Sequence, residues 1–341
     1  MMRIPFESSV VLTTPRELLS VSFADPQTGW ASGLDGQLFS TTDGGMSWDE
    51  ARANFYGPIN AVTFPRREVG YAAGVGRDAA TSGPLVGVVL GTRDGGQKWS
   101  ISPQLTPYGH VHGFAEFGLE DAANVLFGAK VPAGHFHSGV YYSVCSVDGN
   151  SAWVVGGGGV VLTTRDSGRS WDEQKLTENT LRTVFFLDNQ RGLVAGDAEN
   201  IFQTTDGGRS WIQVYDGIPG WPRQAITSIA MRSSDEGWAV GFSGIMLRTR
   251  SGGRSWELQK TLTSGHLFSI AFGQQAEGFA GGAGGELLYS ENGEQHWAVD
   301  RIEQVRGAVR GIAISDEDTV WAVGGEGGIE TKGVLVRLKR K

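Results

Sequence analysis

The sequence predicts an all-β protein, a seven-bladed β-propeller of four-stranded antiparallel blades. A motif of the type S/T-x-D-G-G-x-S-W, first present as STTDGGMSW at 40–48, returns at intervals of roughly 40 residues, the size of one small repeat unit. Each copy also contains a short stretch resembling GWAVG. Within each of three copies, two tryptophans are separated by one and the same number of residues. These pairs are Trp30 and Trp48, Trp153 and Trp171, and Trp238 and Trp256.

The first strand of each copy alternates between apolar and small residues, as in LLSVSF at 18–23. Seven segments align on it, at 18–23, 59–64, 141–146, 181–186, 226–231, 267–272 and 309–314. A period of two indicates a β-strand. The GWAVG-like stretch predicts a second strand, a glycine-rich turn leads to a third, and the DGG turn leads to a fourth. Four strands per repeat describe a propeller blade.

We expect a single domain over residues 1–341. Its blades are predicted at about 18–56, 59–106, 140–178, 181–216, 226–262, 267–305 and 309–338, with an insertion at 107–139. The last copy has no fourth strand of its own, whereas SSVVLTT at 8–14 precedes the first copy. Pairing this N-terminal strand with the last blade would close the ring and remove two exposed strand edges.

The D-G-G motif itself is interpreted as structural. Asp43, Asp94, Asp166 and Asp206 open tight turns, in which a carboxylate accepts backbone N–H bonds and glycine supplies positive φ. Later copies have Ser251 and Asn292 at this position, which a turn tolerates and a catalytic acid would not. The tryptophan ending each motif is expected to bury its indole between blades; these are Trp48, Trp99, Trp171, Trp211, Trp256 and Trp297.

Composition limits the classes of partner. The net charge of -8 argues against a general nucleic-acid binder, because no basic excess neutralises phosphates. We find no long apolar run and no signal sequence, so we expect no membrane insertion. A cytoplasmic monomer is expected, or a periplasmic or lumenal one if the sequence is that of a mature protein. The single Cys145 excludes an internal disulfide and is interpreted as a buried thiol.

The S/T-x-D-G-G-x-S/T-W motif is the Asp-box of BNR-repeat propellers. Together with the GWAVG strands, it resembles the photosystem II stability/assembly factor family and its bacterial relatives over about residues 8–338. The resemblance implies a non-enzymatic scaffold without a cofactor, which binds another protein or a membrane-protein assembly intermediate. Sialidases, glucanases and sorting receptors also carry Asp-boxes, and many bacterial relatives occur outside photosynthesis.

Partner binding is predicted on the face that carries the loops between strands 2 and 3 and between blades. Two insertions, at 74–87 and 107–139, fall on this face. One column of the first strands is mixed in chemistry, unlike its neighbours: Leu19, Asn60, Tyr142, Arg182, Thr227, Phe268 and Arg310. Tyr142, Arg182, Phe268 and Arg310 are candidate anchors for a partner. Simple tolerance of variation is the alternative.

Arginines flank the Asp-box turns of three consecutive blades on the opposite face. They are Arg165, Arg169, Arg209, Arg248, Arg250 and Arg254. They predict a basic stripe for an anionic partner, and solvated turn residues are the alternative.

Four histidines lie in the larger insertion, in HVH at 110–112 and HFH at 135–137. If these pieces pair as antiparallel strands, His110, His112, His135 and His137 share one face and could hold zinc or another transition metal. An exposed polar hairpin is the alternative.

A sialidase-like or other glycoside hydrolase is the alternative function. It is prompted by the Asp-boxes and by Arg3 in RIP at 3–5, a motif in which sialidases place a carboxylate-binding arginine. Hydrolysis needs two carboxylates across a cleft. The candidates Asp197, Glu199, Glu116, Glu120 and Asp121 form no recognisable constellation. We therefore expect no enzyme.

Overall fold

The chain forms a ring of seven small antiparallel sheets. This computed structural model describes residues 5–52, 55–78, 86–101, 140–218, 222–293, 297–327 and 331–341. The N-terminal strand β1 spans Phe6–Thr14. Blade 1 contains β2 (Leu18–Phe23), β3 (Gly29–Gly33), β4 (Gln37–Thr41) and β5 (Asp49–Arg52). Blade 2 contains β6 (Phe55–Tyr56), β7 (Ile59–Thr63), β8 (Gly70–Asp78), β9 (Val86–Thr92) and β10 (Ser100–Ile101). The predicted seven-bladed propeller is confirmed.

The other blades repeat the four-stranded pattern. Blade 3 contains β11 (Tyr141–Ser146), β12 (Ala152–Gly156), β13 (Val160–Thr164) and β14 (Asp172–Lys175). Blade 4 contains β15 (Leu181–Phe186), β16 (Gly192–Gly196), β17 (Asn200–Thr204) and β18 (Ile212–Asp216). Blade 5 contains β19 (Ile226–Met231), β20 (Gly237–Gly241), β21 (Met246–Thr249) and β22 (Glu257–Leu258). Blade 6 contains β23 (Leu267–Phe272), β24 (Gly278–Gly282), β25 (Glu286–Ser290) and β26 (Ala298–Arg301). Blade 7 contains β27 (Val309–Asp316), β28 (Thr319–Gly325) and β29 (Gly333–Arg340).

The N-terminal strand completes blade 7, as predicted. Strand β1 pairs antiparallel with β29 from Phe6 opposite Arg340 to Thr14 opposite Gly333, with one irregularity near Val11. Phe6 is buried against the rings of Phe279 and Tyr289 in blade 6, at centroid distances of 5.3 and 6.0 Å. The closing strand therefore joins blade 7 and also packs on its neighbour.

The first strands of consecutive blades contact one another around the ring. Serine hydroxyls of the small-residue column accept backbone N–H bonds from the next first strand. The bonds run from Val62 to Ser20, Val184 to Ser143, Ile270 to Ser228 and Ile312 to Ser269, at 3.1 to 3.3 Å. A larger side chain in this column would separate the inner strands, which explains why the column stays small.

An aromatic side chain on strand 2 packs beneath the Asp-box turn of the next blade. Trp30 Nε1 donates to the Gly95 carbonyl at 3.0 Å, and its ring stacks on Phe64 at a centroid distance of 3.4 Å. At the ring closure, Trp321 lies beneath Gly45. Gly45 has a φ of +75°, and a Cβ there would lie 2.1 Å from the Trp321 ring. The motif glycine thus allows close approach between blades as well as the turn itself.

The Asp-box turns form the predicted hydrogen bonds. In blade 4, Asp206 accepts the Ser210 N–H at 2.9 Å, the Ser210 hydroxyl at 2.6 Å and the Thr204 hydroxyl at 2.8 Å. The Ser210 hydroxyl, then its N–H, and then Thr204 lower the pKa of Asp206 to about 2. The equivalent bonds lower the pKa of Asp166 to about 2 in blade 3. In blade 5, Ser251 accepts the Ser255 N–H in the same way.

The Asp-box tryptophans are less buried than predicted. Trp256 and Trp297 are buried, whereas Trp48, Trp99, Trp171 and Trp211 are only half-buried. Trp48 contacts both Phe23 of its own blade and Trp321 of blade 7, edge to face. The indoles do lie between blades, but the fully buried aromatic position belongs to strand 2.

Blade 2 departs from the expected boundaries. Phe55 and Tyr56, expected to end blade 1, form β6 and pair with Asp78 and Arg77 of β8. Part of the expected 74–87 loop extends the β8–β9 ladder, in which Gly76 pairs with Val86. Among the described residues, no helix is long and apolar enough to cross a membrane.

Candidate functional site

Every first strand has a β-bulge at its second residue. The pairing with strand 2 shifts between Leu18 and Ser20 in blade 1, and at the equivalent pair in all other blades. The bulged residues are Leu19, Asn60, Tyr142, Arg182, Thr227, Phe268 and Arg310. This is the column of mixed chemistry. A bulged residue leaves the regular ladder and its side chain is re-aimed, so it escapes the packing that keeps the neighbouring columns uniform.

Two of the small bulged residues tie blades together. Asn60 donates its side-chain amide to the Tyr141 carbonyl of blade 3 at 2.8 Å. Thr227 donates its hydroxyl toward the Leu267 carbonyl of blade 6 at 2.7 Å. These residues have a structural role at the start of the inner strands.

The large bulged residues meet across blades at the mouth of the channel. The Arg182 guanidinium carbon lies 5.4 Å from the Tyr142 ring centroid and 5.5 Å from the Phe242 centroid. Asp197 accepts the Arg182 Nε at 2.5 Å and Nη2 at 3.2 Å. Burial, the largest influence, raises the pKa of Tyr142. Arg182 thus links the rings of blades 3 and 5 while its charge is offset by Asp197.

The contacts continue into blades 6 and 7. Phe242 lies 6.3 Å from Phe268 and 4.6 Å from the exposed His266 ring, centroid to centroid. The Arg310 guanidinium carbon lies 4.7 Å from the Phe268 centroid, and Arg310 Nε donates to Glu17 at 3.0 Å. We call the set Tyr142, Arg182, Phe242, His266, Phe268 and Arg310 the mouth belt. It brings all four predicted anchors together.

Phe242 and His266 of the mouth belt were not predicted, and Asp197 was considered only as a catalytic carboxylate. Asp197 and Phe242 each begin the short turn that follows strand 2, at Asp197–Glu199 and Phe242–Gly244. This turn position also varies between blades, and that variation was the available signal. His266 directly precedes β23, where its Nδ1 accepts the Ser243 N–H at 3.0 Å.

The arginine stripe is only partly formed. Arg165, Arg169, Arg209, Arg250 and Arg254 are exposed on the Asp-box face. Arg248 is buried, with 3% of its surface exposed; it forms an ion pair with Glu236 and lies over the Trp238 ring. The prediction that Arg248 belongs to the stripe was wrong, because this side chain is buried against Glu236 and Trp238 of its own blade.

The other predicted groups are elsewhere in the chain. His110, His112, His135, His137, Glu116, Glu120, Asp121 and Arg3 lie outside the described residues. The described residues contain no cluster of three or more metal-binding side chains. Glu199 is buried with a φ of +56° and accepts the Gln224 N–H at 2.9 Å, so it holds the loop into blade 5. Asp197 and Glu199 are thus engaged in local structure.

The fold and the mouth belt define an Asp-box propeller with an aromatic and arginine-lined channel mouth. The family model for the photosynthesis system II assembly factor YCF48 matches residues 175–264. The chloroplastic photosystem II stability/assembly factor HCF136 of Arabidopsis thaliana is 25% identical over 273 residues, which cover 74% of this chain and 58% of the relative. The photosystem II assembly lipoprotein Ycf48 of Trichormus variabilis is 26% identical over 308 residues, covering 77% of this chain and 80% of the relative.

Solved structures show the same fold. A structure described as YCF48 bound to D1 peptide has a TM-score of 0.70 at 21% identity, covering 100% of this chain and 99% of that chain. YCF48 from Cyanidioschyzon merolae has a TM-score of 0.65 at 17% identity, covering 97% and 98% of the two chains. The chain spans little more than half the length of the Arabidopsis relative. The predicted resemblance to photosystem II assembly factor-like propellers is confirmed.

Proposed function

We propose that this chain is a non-enzymatic assembly factor of the photosystem II assembly factor type. It binds a polypeptide segment of an assembling protein complex at the mouth belt. The observation that supports this best is the continuous series of ring and guanidinium contacts from Tyr142 to Arg310. Aromatic and arginine side chains are the usual energetic anchors of protein interfaces. The relative described as bound to a D1 peptide supports a polypeptide as the partner.

The half-buried state of these side chains also favours recognition. Tyr142, Phe242 and Phe268 are neither fully packed nor fully exposed. Their neighbours hold them, so little side-chain entropy is lost when a partner covers them. Arg182 is 27% exposed and is already oriented by Asp197. A preorganised patch of this kind suits a scaffold that must bind and later release an intermediate.

The test is capture of partner proteins by the tagged chain from soluble and membrane extracts of its host, with identification by mass spectrometry. We expect one complex to be retained by the intact chain and lost from a Tyr142→Ala/Phe268→Ala variant. Arg209→Ala, on the Asp-box face, is the matched control and should retain the complex. Equal retention by all three chains would move the site away from the mouth belt.

A non-enzymatic role without a cofactor has two further consequences that can be tested. The purified chain should not hydrolyse a fluorogenic sialoside, whereas measurable turnover would favour the glycoside hydrolase alternative. We also propose that capture needs no cofactor. Treatment with a chelator should then leave capture unchanged, and elemental analysis should find less than one equivalent of transition metal.

A further inference from the structure

The guanidinium of Arg310 is held by a hydrogen bond from one of its three nitrogens. Its Nε donates to Glu17 Oε1 at 3.0 Å, and its carbon lies 4.7 Å from the Phe268 ring centroid. Within the described parts of the chain, Nη1 and Nη2 of Arg310 have no hydrogen-bond partner. The side chain is 37% exposed. A charged fork is therefore oriented and accessible at the channel mouth.

Arg182 provides an internal comparison. Two of its nitrogens, Nε and Nη2, bind the two oxygens of Asp197. This side-on pairing occupies both carboxylate oxygens and leaves only Nη1. Among the described residues the two arginines of the mouth belt therefore differ: Arg182 uses two of its three nitrogens within its own chain, whereas Arg310 uses only Nε and keeps both terminal nitrogens.

Two terminal guanidinium nitrogens match the two oxygens of a carboxylate in a bidentate pair. Glu17 is only 13% exposed and contacts the Nε side, so it fixes the guanidinium without covering the fork. Its charge also offsets that of Arg310. A single negative charge on the ligand is then favoured over a phosphate dianion, which Glu17 would repel more strongly.

We propose that Arg310 is a receptor for a carboxylate of the bound polypeptide, and that Phe268 and Phe242 receive an adjacent aromatic or apolar side chain. The proposal rests on the function proposed above and names the chemistry recognised at that site. Glu17 is a positioning residue. The carboxylate comes either from an acidic side chain or from a chain end, and the probes below separate these sources.

Three small probes share one aromatic group and differ in their carboxylates: N-acetylphenylalanine, N-acetylphenylalanine amide, and the dipeptide amide N-acetyl-Phe-Glu-NH₂. Their affinities for the full chain can be measured by ligand-detected NMR titration. We expect the amide to bind about tenfold more weakly than whichever carboxylate probe binds best, a difference of about 1.4 kcal/mol, because the amide cannot form the charged hydrogen-bonded pair. A preference between the two carboxylates identifies the source.

The matched variants are Arg310→Gln, Arg310→Lys and, as a control outside every predicted site, Arg301→Gln on the outer strand β26. Arg310→Gln should lower carboxylate affinity about tenfold and leave the amide unchanged. Arg310→Lys keeps the charge but loses the fork, so it should bind less well than the wild type. Arg301→Gln, which changes an exposed arginine, should bind normally. Thermal unfolding of each variant shows whether loss of the Glu17 contact has disturbed the ring.

Equal binding of the amide and carboxylate probes would overturn the proposal, as would unchanged carboxylate affinity in a folded Arg310→Gln variant. Stronger competition by inorganic phosphate than by acetate would also overturn it in favour of a phosphate site. Failure here is distinguishable from failure of the proposed function. If Arg310→Gln still captures a complex, the scaffold function is supported and the carboxylate receptor is not. If the chain binds carboxylates but captures no complex, the carboxylate receptor is supported and the scaffold function is not.

Discussion

Trp153 donates its indole N–H to the Gly207 carbonyl at 3.1 Å, and this bond joins strand 2 of blade 3 to the Asp-box turn of blade 4. The indole also stacks on Phe186 of blade 4 at a centroid distance of 3.5 Å. Trp30 makes the same pair of contacts with blade 2. The Asp-box turn therefore accepts a hydrogen bond from a strand 2 indole of the preceding blade, and this bond joins the two blades.

Truncation of this joint should be costly. Trp153→Ala should lower the free energy of unfolding by about 3 to 5 kcal/mol, the usual cost of removing a buried aromatic side chain. Trp211→Ala, which removes a half-buried indole, should cost less. Urea unfolding of the two variants checks this order. Equal losses of unfolding free energy would mean that the contacts of Trp153 between the blades stabilise the chain no more than the packing of a half-buried indole does.

The turn between strands 2 and 3 should not tolerate a side chain in blade 3. Gly159 has a φ of +73°, and a Cβ there would lie 1.9 Å from the Thr177 carbonyl oxygen. Gly159→Ala should therefore destabilise the chain by at least about 2 kcal/mol. Gly91→Ala is the control, because nothing lies within 4 Å of its added Cβ. The control should be neutral within about 0.5 kcal/mol in the same unfolding assay.

Stability should depend on the ionisation of Asp206. Its pKa of about 2 lies below the ordinary value of 3.8, so the folded state favours the carboxylate. This contribution is present above about pH 4 and is lost as the pH falls toward 2. We expect Asp206→Asn to be less stable than the wild type at pH 7, with the difference shrinking over that window. A difference in unfolding free energy that stays constant down to pH 2 would contradict this origin.

The closing strand should be anchored mainly by Phe6. Phe6→Ala should lower the unfolding free energy by about 3 kcal/mol, because the ring is buried against Phe279 and Tyr289. Val10 lies on the same strand and is 44% exposed, so Val10→Ala should change stability by less than about 0.5 kcal/mol. Thermal unfolding of both variants tests the contrast. Similar losses would indicate that β1 is held by its ladder alone.

Cys145 should be unreactive in the folded chain. Burial raises the pKa of its thiol to about 11. The thiolate fraction at pH 8 is then small, and reagents that attack thiolates should modify the native protein slowly. Labelling should become rapid in urea. Fast labelling without denaturant would show that the start of blade 3 opens readily.

Sequence periodicity predicted the ring well, because each strand and turn recurs at equivalent positions. The small residues in the column of Ser20 and Ser269 indicated close inner strands, and the spare segment 8–14 indicated closure. The mixed chemistry of Tyr142 and Arg310 located the mouth belt. Its cause, the bulge, left a signal that was not used: the two buried residues of a first strand, such as Leu18 and Val21, are three residues apart instead of two.

Other features depended on contacts that no repeat alignment contains. In the sequence Arg248 resembles the other turn arginines, but it forms an ion pair with the half-buried Glu236, from the turn between β19 and β20, and lies over the Trp238 ring. Arg182 and Arg310 occupy the same column, yet their acid partners come from different loops. Their different hydrogen bonding follows from this and could not be read from the column.

The pairing of β1 with β29 also fixes where the chain can be tethered. The Lys341 N–H donates to the Pro5 carbonyl at 3.0 Å, so the two ends of the described chain leave the ring side by side. Arg340 bonds to the Asp318 carbonyl, in a turn on the same face as the Asp-boxes. A fusion partner or solid support attached at either end would therefore lie on the side of the Asp-box face, and the channel mouth on the opposite face would remain accessible.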